Sequence, residues 1–253
     1  MHPYWIVPQW AAPSKVRALI TTRPGGFSLG PWAAADGGGG MNLAWGGDQA
    51  QSVERNRARL RAELPQDPCW LQQVHGTGVV DAALAGRLAQ ADAAFSTQIG
   101  VVCCVLVADC LPVLLADARG RGVGVAHAGW RGLAGGVIQN TVTALRRAVG
   151  DETARVIAYL GPAIGPTEFE VGPEVLQAME QRLPHAQSAF QVGGEGKFHA
   201  DLFELARMAL AQVRVIDVYG GGQCTVSDPA RFYSFRRDRV TGRHAALVWL
   251  HKE

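Results

Sequence analysis

The 253-residue chain has no CxxC pair, and no apolar run that approaches the roughly 18 residues of a membrane span. Its opening MHPYWIVPQW has neither a charged start nor an apolar stretch behind it. The first absence argues against a zinc ribbon or a thioredoxin-type site. The second argues against a helical membrane anchor, and the third leaves no reason to expect a secretory leader. An excess of one charge is missing too: 24 Lys+Arg stand against 22 Asp+Glu, a formal net charge of +2. Electrostatics alone therefore give no case for nucleic acid or an anionic membrane as partner. The five cysteines, Cys69, Cys103, Cys104, Cys110 and Cys224, are odd in number and irregularly spaced, as expected of reduced thiols in a cytoplasm. There is no internal repeat, no evident linker and no dinucleotide fingerprint. Gly120, Gly122 and Gly124 precede an apolar run, whereas the fingerprint follows its strand.

With 48% hydrophobic and 18% charged residues, the chain can bury a sizeable core. We read residues 1–253 as one domain. VRALITT (16–22), GVGVAHA (122–128), RVIAYLG (155–161) and VRVIDVYGGG (213–222) read as strands. WLQQVHGTGVV (70–80) is strand-like and broken at His75-Gly76. VVCCVLVADCLPVLLAD (101–117) suits a single central strand buried on both faces. QSVERNRARLRAEL predicts an amphipathic helix with a solvated basic face. LAGGVIQNTVTALRRAVG predicts another, with Ile138, Val142, Leu145 and Val149 inward and Gly150 as its cap. PEVLQAMEQRL opens on Pro173, and DLFELARMALAQV carries Asp201 and Glu204 at capping-box spacing. FYSFRRDRVTGRHAALVWL reads as a hairpin turning near Thr241-Gly242. The Gly/Pro-rich loop over 23–42 is expected to be functional or disordered. Strands and helices mix without strict alternation, which points to an α/β or α+β fold of mixed β-sheets with flanking helices.

GVGVAHAGWRGLAGGV (122–137) places His127 at the end of an apolar run, just before Gly129, Trp130, Arg131 and Gly132. His75 in QVHG and Cys110 in ADCLP share that setting. Strands that end at one edge of a sheet bring their last residues together. Two imidazoles and a thiolate make a three-ligand zinc set with a fourth position open, where a metal lowers the pKa of water or polarises an oxygen. Taken singly, such residues are more often structural, and Cys103 and Cys104 are read as core. No compact metal spacing relates 75, 110 and 127, so both readings stay open on these grounds. Arg131 falls near a helix N-terminus, where free N–H groups favour an anion. Gly129 and Gly132 permit close backbone approach there. The arginine suits a bidentate phosphate contact or, equally, a loop carbonyl.

Taken in order, QVHG, ADCLPVLLAD, HAGWRGLAGGV and GPAIGP…FEVG resemble the laccase-domain family, also labelled polyphenol oxidases. Its members are described as zinc-dependent purine nucleoside phosphorylases with adenosine deaminase activity. TTRPGGFSLGPW, MNLAWGGDQAQSVERNRARL and CTVSDPARFYSFRRDRVTGRHAALVWL extend the resemblance nearly end to end. The resemblance implies zinc on His75, Cys110 and His127. It implies an α-β-β-α sandwich-like fold of mixed sheets, remotely similar to toxin deamidases that use a Cys–His pair. It further implies phosphorolysis of adenosine, inosine, guanosine and methylthioadenosine, with deamination of adenosine. A cell-wall precursor editing amidase and a copper-dependent phenol oxidase have also been proposed for relatives. The chain departs from the pattern in AAADGGGGMN, which lengthens the first loop and bears on substrate scope, in Trp32 where tyrosine is usual, and in VADC for TADC.

On this reading the catalytic group is Cys110, His75, His127 and Asp109. The metal activates phosphate or water, while Arg131 and Arg23 orient the phosphate and Asn42 bonds ribose or purine. Asp109 orients the metal site or acts as general acid–base. Arg23 and Asn42 read equally as turn or strand-end residues, and Asp109 as the cap of a turn. The H-x-E…P-C-x-x-C motif of nucleobase deaminases is absent, so any deamination uses a different scaffold. A metal-free Cys–His hydrolase, with Cys110 as nucleophile and His127 or His75 as base, uses the same residues. Copper oxidation is least favoured, copper being a substitute for zinc in vitro. Of seven histidines, His2, His185, His199, His244 and His251 fall outside the constellation. A non-catalytic scaffold leaves three ligand-type residues at the ends of apolar runs unexplained. The expected partners are a small nucleoside and phosphate, with no nucleic acid and no membrane, and the expected state is a cytoplasmic monomer.

Overall fold

A computed structural model of the chain describes residues 3–252; Met1, His2 and Glu253 lie outside them. Along the chain it runs β1 (Val16–Ile20), β2 (Pro24–Ser28), α1 (Ala50–Arg61), β3 (Val79–Asp81), β4 (Ala93–Ser96), β5 (Val102–Val107), β6 (Leu111–Asp117) and β7 (Val123–Ala128). It continues through α2 (Trp130–Gly135), α3 (Val137–Ala148), β8 (Val156–Leu160), β9 (Glu170–Val171), α4 (Pro173–Glu180), β10 (Phe190–Val192) and β11 (Phe198–Ala200). It ends with α5 (Leu202–Gln212), β12 (Asp217–Gly220), α6 (Phe235–Asp238) and β13 (His244–Leu250).

Side chains alternate across a strand, and that alternation sets the layers. In β6, Leu111, Val113 and Leu115 face the core built with α3, α4 and α5. Leu114 and Ala116, on the other face, join Val105, Ala246 and Val248. β6 belongs to a six-stranded sheet ordered β12-β8-β6-β7-β4-β3, in which β12/β8 and β3/β4 are parallel and the other pairs antiparallel. Against it lies an antiparallel sheet ordered β1-β13-β5. Ala245, Leu247 and Trp249 on its far side meet Met41, Leu43 and Leu60, the last of these from α1. Helices, six-stranded sheet, three-stranded sheet and α1 thus stack as the expected α-β-β-α sandwich of mixed sheets. A small sheet, β10-β11-β9, stands apart. Among the described residues no helix is long and apolar enough to cross a membrane.

Three expectations need correction. The run over 101–117 is two strands in two sheets, β5 and β6. The chain crosses between sheets at Asp109, whose φ is +84°. Both strands are buried on both faces, so composition alone does not separate them. The helix expected from Leu133 starts at Trp130 and is divided by Gly136, at φ +96°, into α2 and α3. The C-terminal hairpin does not form. Ser234 caps α6 by accepting the Arg237 N–H, and β13 pairs with β1 and β5 instead.

The basic face of α1 is also less solvated than its pattern suggests. Arg57 donates twice to the Leu43 carbonyl, at 2.9 and 2.8 Å, and stacks 3.9 Å from the Trp70 ring. Arg55 and Arg59 both lie over Phe27. The glycine-rich loop is ordered by close backbone packing: a Cβ at Gly39 would run into the Gly26 carbonyl, and one at Gly40 into that of Trp32. Asn56 of α1, wholly buried, ties the loop down. It accepts the Phe27 N–H at 2.8 Å and donates to the carbonyls of Gly40 and Asn42 at 3.1 and 2.8 Å. Substituting Asn56→Leu leaves these groups buried and unpaired, so urea unfolding should show a loss of about 3 kcal/mol. A loss within experimental error would mean that the loop is held by other contacts.

Candidate metal centre and anion cleft

In the pairing of β6 with β7, Pro112 stands opposite His127 and Leu111 opposite Ala128. Cys110, one residue before β6, and His127, near the end of β7, therefore meet at one edge of the sheet. Only His127 ends a strand as expected. Cys110 leads into one, and His75 comes from an irregular loop at φ +58°. Cys110 Sγ lies 4.0 Å from His75 Nε2, and the two imidazoles meet edge-to-face with centroids 4.8 Å apart. The ligand atoms of all three residues lie within 4.8 Å of one another. His127 is buried, Cys110 half-buried and His75 exposed, so the group faces outward on one side.

Asp92, passed over in the sequence, holds this group together. Its buried carboxylate accepts the backbone N–H groups of Val74, His75 and Gly76 at 3.2, 2.9 and 2.7 Å. The left-handed His75 backbone turns these successive donors onto one anion, a nest. The same carboxylate accepts His127 Nδ1–H at 2.8 Å. A carboxylate offers no proton here, so Nδ1 carries the hydrogen and Nε2 is left for the ligand position. The available signal was an acid inside the apolar stretch ADAAF, where an ionised group needs partners.

Burial by itself would raise the Cys110 thiol; hydrogen bonds from His127 and His75 outweigh it and hold the thiol below its ordinary range. Burial would likewise strip the proton from His127, but Asp92 and Cys110 raise its pKa instead. Asp92 is held below the carboxylate range, its burial outweighed by His127 and the Gly76 and Val74 N–H groups. A sulfur favoured as thiolate is the form that binds metal.

The donors suit a metal ion. With zinc bonds of about 2.0–2.3 Å, neighbouring ligands in a tetrahedral site lie roughly 3.3–3.8 Å apart, close to the Sγ–Nε2 separation. Gly129 leaves the space: a Cβ there would sit 2.9 Å from Cys110 Sγ and 3.3 Å from His75 Cδ2.

The group opens on a cleft of about 610 Å³, within the usual size of a small-molecule site. Leu71, Leu106, Ile164, Phe169 and Phe235 give it apolar walls, and Arg131, Arg236, Arg239 and Arg243 line it as well. Among the described residues none of these four arginines is in an ion pair. Arg131 lies in α2, only six residues long, with its guanidinium 4.3 Å over the Trp130 ring. The other three come from a C-terminal segment that sequence reasoning treated as a hairpin. Its signal was the density of arginine in SFRRDRVTGR.

Asp109 lines the cleft, but both its oxygens are engaged: one accepts the Thr225 hydroxyl and the other the Arg236 N–H, each at 2.6 Å. Arg23 and Asn42 do not line the cleft. Arg23 donates to the Ala33 carbonyl at 2.8 Å and lies 3.7 Å from Asp238. Asn42 is buried and accepts the N–H groups of Ala44 and Arg243, both at 3.0 Å. Both residues are spent on the chain itself, because the loop and the C-terminal segment leave many backbone groups to be satisfied.

Asp92→Asn replaces an acceptor of four hydrogen bonds with a side chain that must turn an N–H toward one of those donors. Zinc affinity, read by competition with a chromophoric chelator, should fall about 10- to 100-fold. An unchanged affinity would show that Asp92 does not orient the ligands.

A family model described as multi-copper polyphenol oxidoreductase laccase matches residues 17–251. A purine nucleoside phosphorylase of Pseudomonas aeruginosa is 48% identical over 247 residues, covering 97% of this chain and 98% of its own. Purine nucleoside phosphorylase YfiH of Escherichia coli is 45% identical over 251 residues, with 97% and 98% covered. Among solved structures, a protein of Neisseria meningitidis superposes with a TM-score of 0.89 at 44% identity, covering 98% of this chain and 100% of that one. YlmD from Geobacillus stearothermophilus gives 0.86 at 29% identity, with 94% and 93% covered. In sequence along nearly its whole length, and in fold, this chain belongs to the multi-copper polyphenol oxidoreductase laccase family.

Proposed function

We propose that this protein is a zinc-dependent purine nucleoside phosphorylase. It acts on adenosine, inosine, guanosine and methylthioadenosine, and also deaminates adenosine. One observation carries the reading: a Cys–His–His ligand group and four arginines outside any described ion pair open on the same apolar-walled cleft. The printed names of the Pseudomonas and Escherichia relatives support it. In phosphorolysis a phosphate oxygen bonds to C1′ of the ribose, the C–N bond to the base breaks, and the purine leaves protonated. That needs an anion held beside an apolar base site.

Zinc on His75, Cys110 and His127 supplies a Lewis acid at the end of the cleft. Asp92 keeps His127 in the tautomer that presents Nε2. Arg131, with the C-terminal arginines, neutralises and orients phosphate, and Phe169, Phe235 and Trp130 cover the base. Asp109 fixes the turn before Cys110 and the Arg236 backbone, an orienting role. Asn42 and Arg23 serve through the residues they hold. With water in place of phosphate, the same cleft serves deamination. The protein works as a monomer on small molecules, without nucleic acid or membrane, and its five free cysteines suit a reduced cytoplasm.

A second reading has its own observation. Cys110, His127 and Asp92 form a nucleophile–base–acid chain, with His127 Nδ1 2.8 Å from Asp92, as a metal-free thiol hydrolase requires. A multicopper oxidase is disfavoured, because among the described residues His75, Cys110 and His127 form the one group of three metal-capable side chains.

Zinc-loaded protein and Cys110→Ala, each given adenosine with and without phosphate, should separate these readings by product chromatography. Adenine and ribose-1-phosphate are expected only with phosphate, inosine without phosphate and inosine with its hypoxanthine product when phosphate is present, and none of these from Cys110→Ala. Untouched adenosine, together with rapid alkylation of Cys110 in protein purified without zinc, would replace the phosphorylase with the thiol hydrolase.

A further inference from the structure

The four arginines of the cleft are not held alike. Arg236 donates to the carbonyls of Glu168 and Glu170, at 3.4 and 3.1 Å. Arg243 donates to that of Gly242 at 3.3 Å, and Arg131 stacks on Trp130. The Arg239 guanidinium has no hydrogen bond, ion pair or ring contact among the described residues, although it lines the cleft.

Its backbone is the unusual part. Arg239 stands at φ +59°, ψ −60°. That is not the left-handed helical region, where ψ is about +47°. The Val240 N–H donates to the Asp238 carbonyl at 2.7 Å. A bond from residue i+2 back to i around such a residue is the positive-φ γ-turn, which is rare and strained. A Cβ makes this conformation costly, and glycine would relieve it. A clasp on the preceding residue holds the turn in place. The Asp238 carboxylate takes Arg237 on both oxygens, at 2.8 and 2.7 Å, with Arg23 at 3.7 Å. Arg237 in turn donates to the carbonyls of Thr225, Val226 and Phe232. Strain that its surroundings over-determine, at a residue lining a cleft, points to a function for the side chain.

We infer that Arg239 is an anion-binding residue of the cleft. Its guanidinium grips the tetrahedral oxyanion of inorganic phosphate, and the Arg23–Asp238–Arg237 clasp is the device that keeps the strained turn presenting it. This rests on the proposed phosphorylase reading for the identity of the anion.

The test sets stability against binding. Arg239→Gly suits the backbone and removes the grip; Arg239→Lys keeps the charge and loses the fork. Zinc-loaded parent and variants are titrated calorimetrically with inorganic phosphate, and their melting temperatures are recorded without it. The expected result is a phosphate Kd raised roughly 10- to 100-fold in Arg239→Gly, with a smaller rise in Arg239→Lys. The melting temperature of Arg239→Gly should equal or exceed the parent's. The inference is overturned if the parent binds no phosphate, or if Arg239→Gly binds it within about twofold of the parent. Turnover of adenosine is scored separately. A parent that binds phosphate through Arg239 yet makes no ribose-1-phosphate refutes the phosphorylase and leaves the anion site. A parent that turns over with an unchanged Arg239→Gly Kd does the reverse.

Discussion

One buried carboxylate organises the chemistry of this molecule. Asp92 sits just before β4, where burial would ordinarily drive it neutral, and four hydrogen bonds keep it charged. Three of them come from consecutive backbone N–H groups of the loop that carries His75, and the fourth is the ring of His127. A single anion therefore fixes the conformation of the loop that carries one metal-capable histidine and the tautomer of the other. The positive φ of His75 follows from that demand, since three successive N–H groups converge on one point only when the chain turns left-handed. The Asp92 carbonyl also accepts the His127 N–H at 2.7 Å, so the acid and the imidazole are tied through backbone and side chain together.

The cleft is a composite. Its metal-capable end is built on the six-stranded sheet and the loop beside it, where β6 and β7 have buried neighbours on both faces. Three of its four arginines come from the one-turn α6 and the irregular segment that joins it to β13. That segment has little regular structure to hold it, and it is pinned through side chains instead: Asp109 to the Arg236 N–H, Asn42 to the Arg243 N–H, and Arg237 to three carbonyls. A rigid sheet edge gives precise ligand placement, and a tethered loop gives a wall of like charge that no strand could pack.

The mixed strands and helices, and the three metal-capable residues that the fold brings together, were legible in the sequence because each left a local trace, whereas the sandwich layering was legible only through the family resemblance. Short apolar runs gave β1, β7 and β8, Pro173 and Asp201 marked helix starts, and three ligand-type residues stood beside chain-turning neighbours. What stayed hidden depended on contacts distant in sequence. Nothing in VVCCVLVADCLPVLLAD says that its two halves belong to different sheets, because both are buried on both faces. Asp92 has no motif around it, and its importance comes from a loop and a strand 17 and 35 residues away. Arg23 and Asn42 were noticed for the right regions but the wrong contacts, since a polar residue near a site gives no sign of whether it faces a ligand or a carbonyl. FYSFRRDRVTGR reads as the arm of a hairpin because its aromatic start suits a strand and Thr241-Gly242 suits a turn. The rings of Phe232 and Tyr233 are buried without forming a strand.

The order β1-β13-β5 has a consequence in time. The last strand of the chain is the middle strand of its sheet, and the three C-terminal arginines of the cleft immediately precede it. During synthesis β1 and β5 emerge early and wait with unpaired edges until β13 follows them, a long-range closure of the kind that folds slowly. The metal-capable end of the cleft can be in place before that moment, but its arginine wall cannot. A chain cut before Arg236 therefore carries the Cys–His–His group without the C-terminal charges that face it.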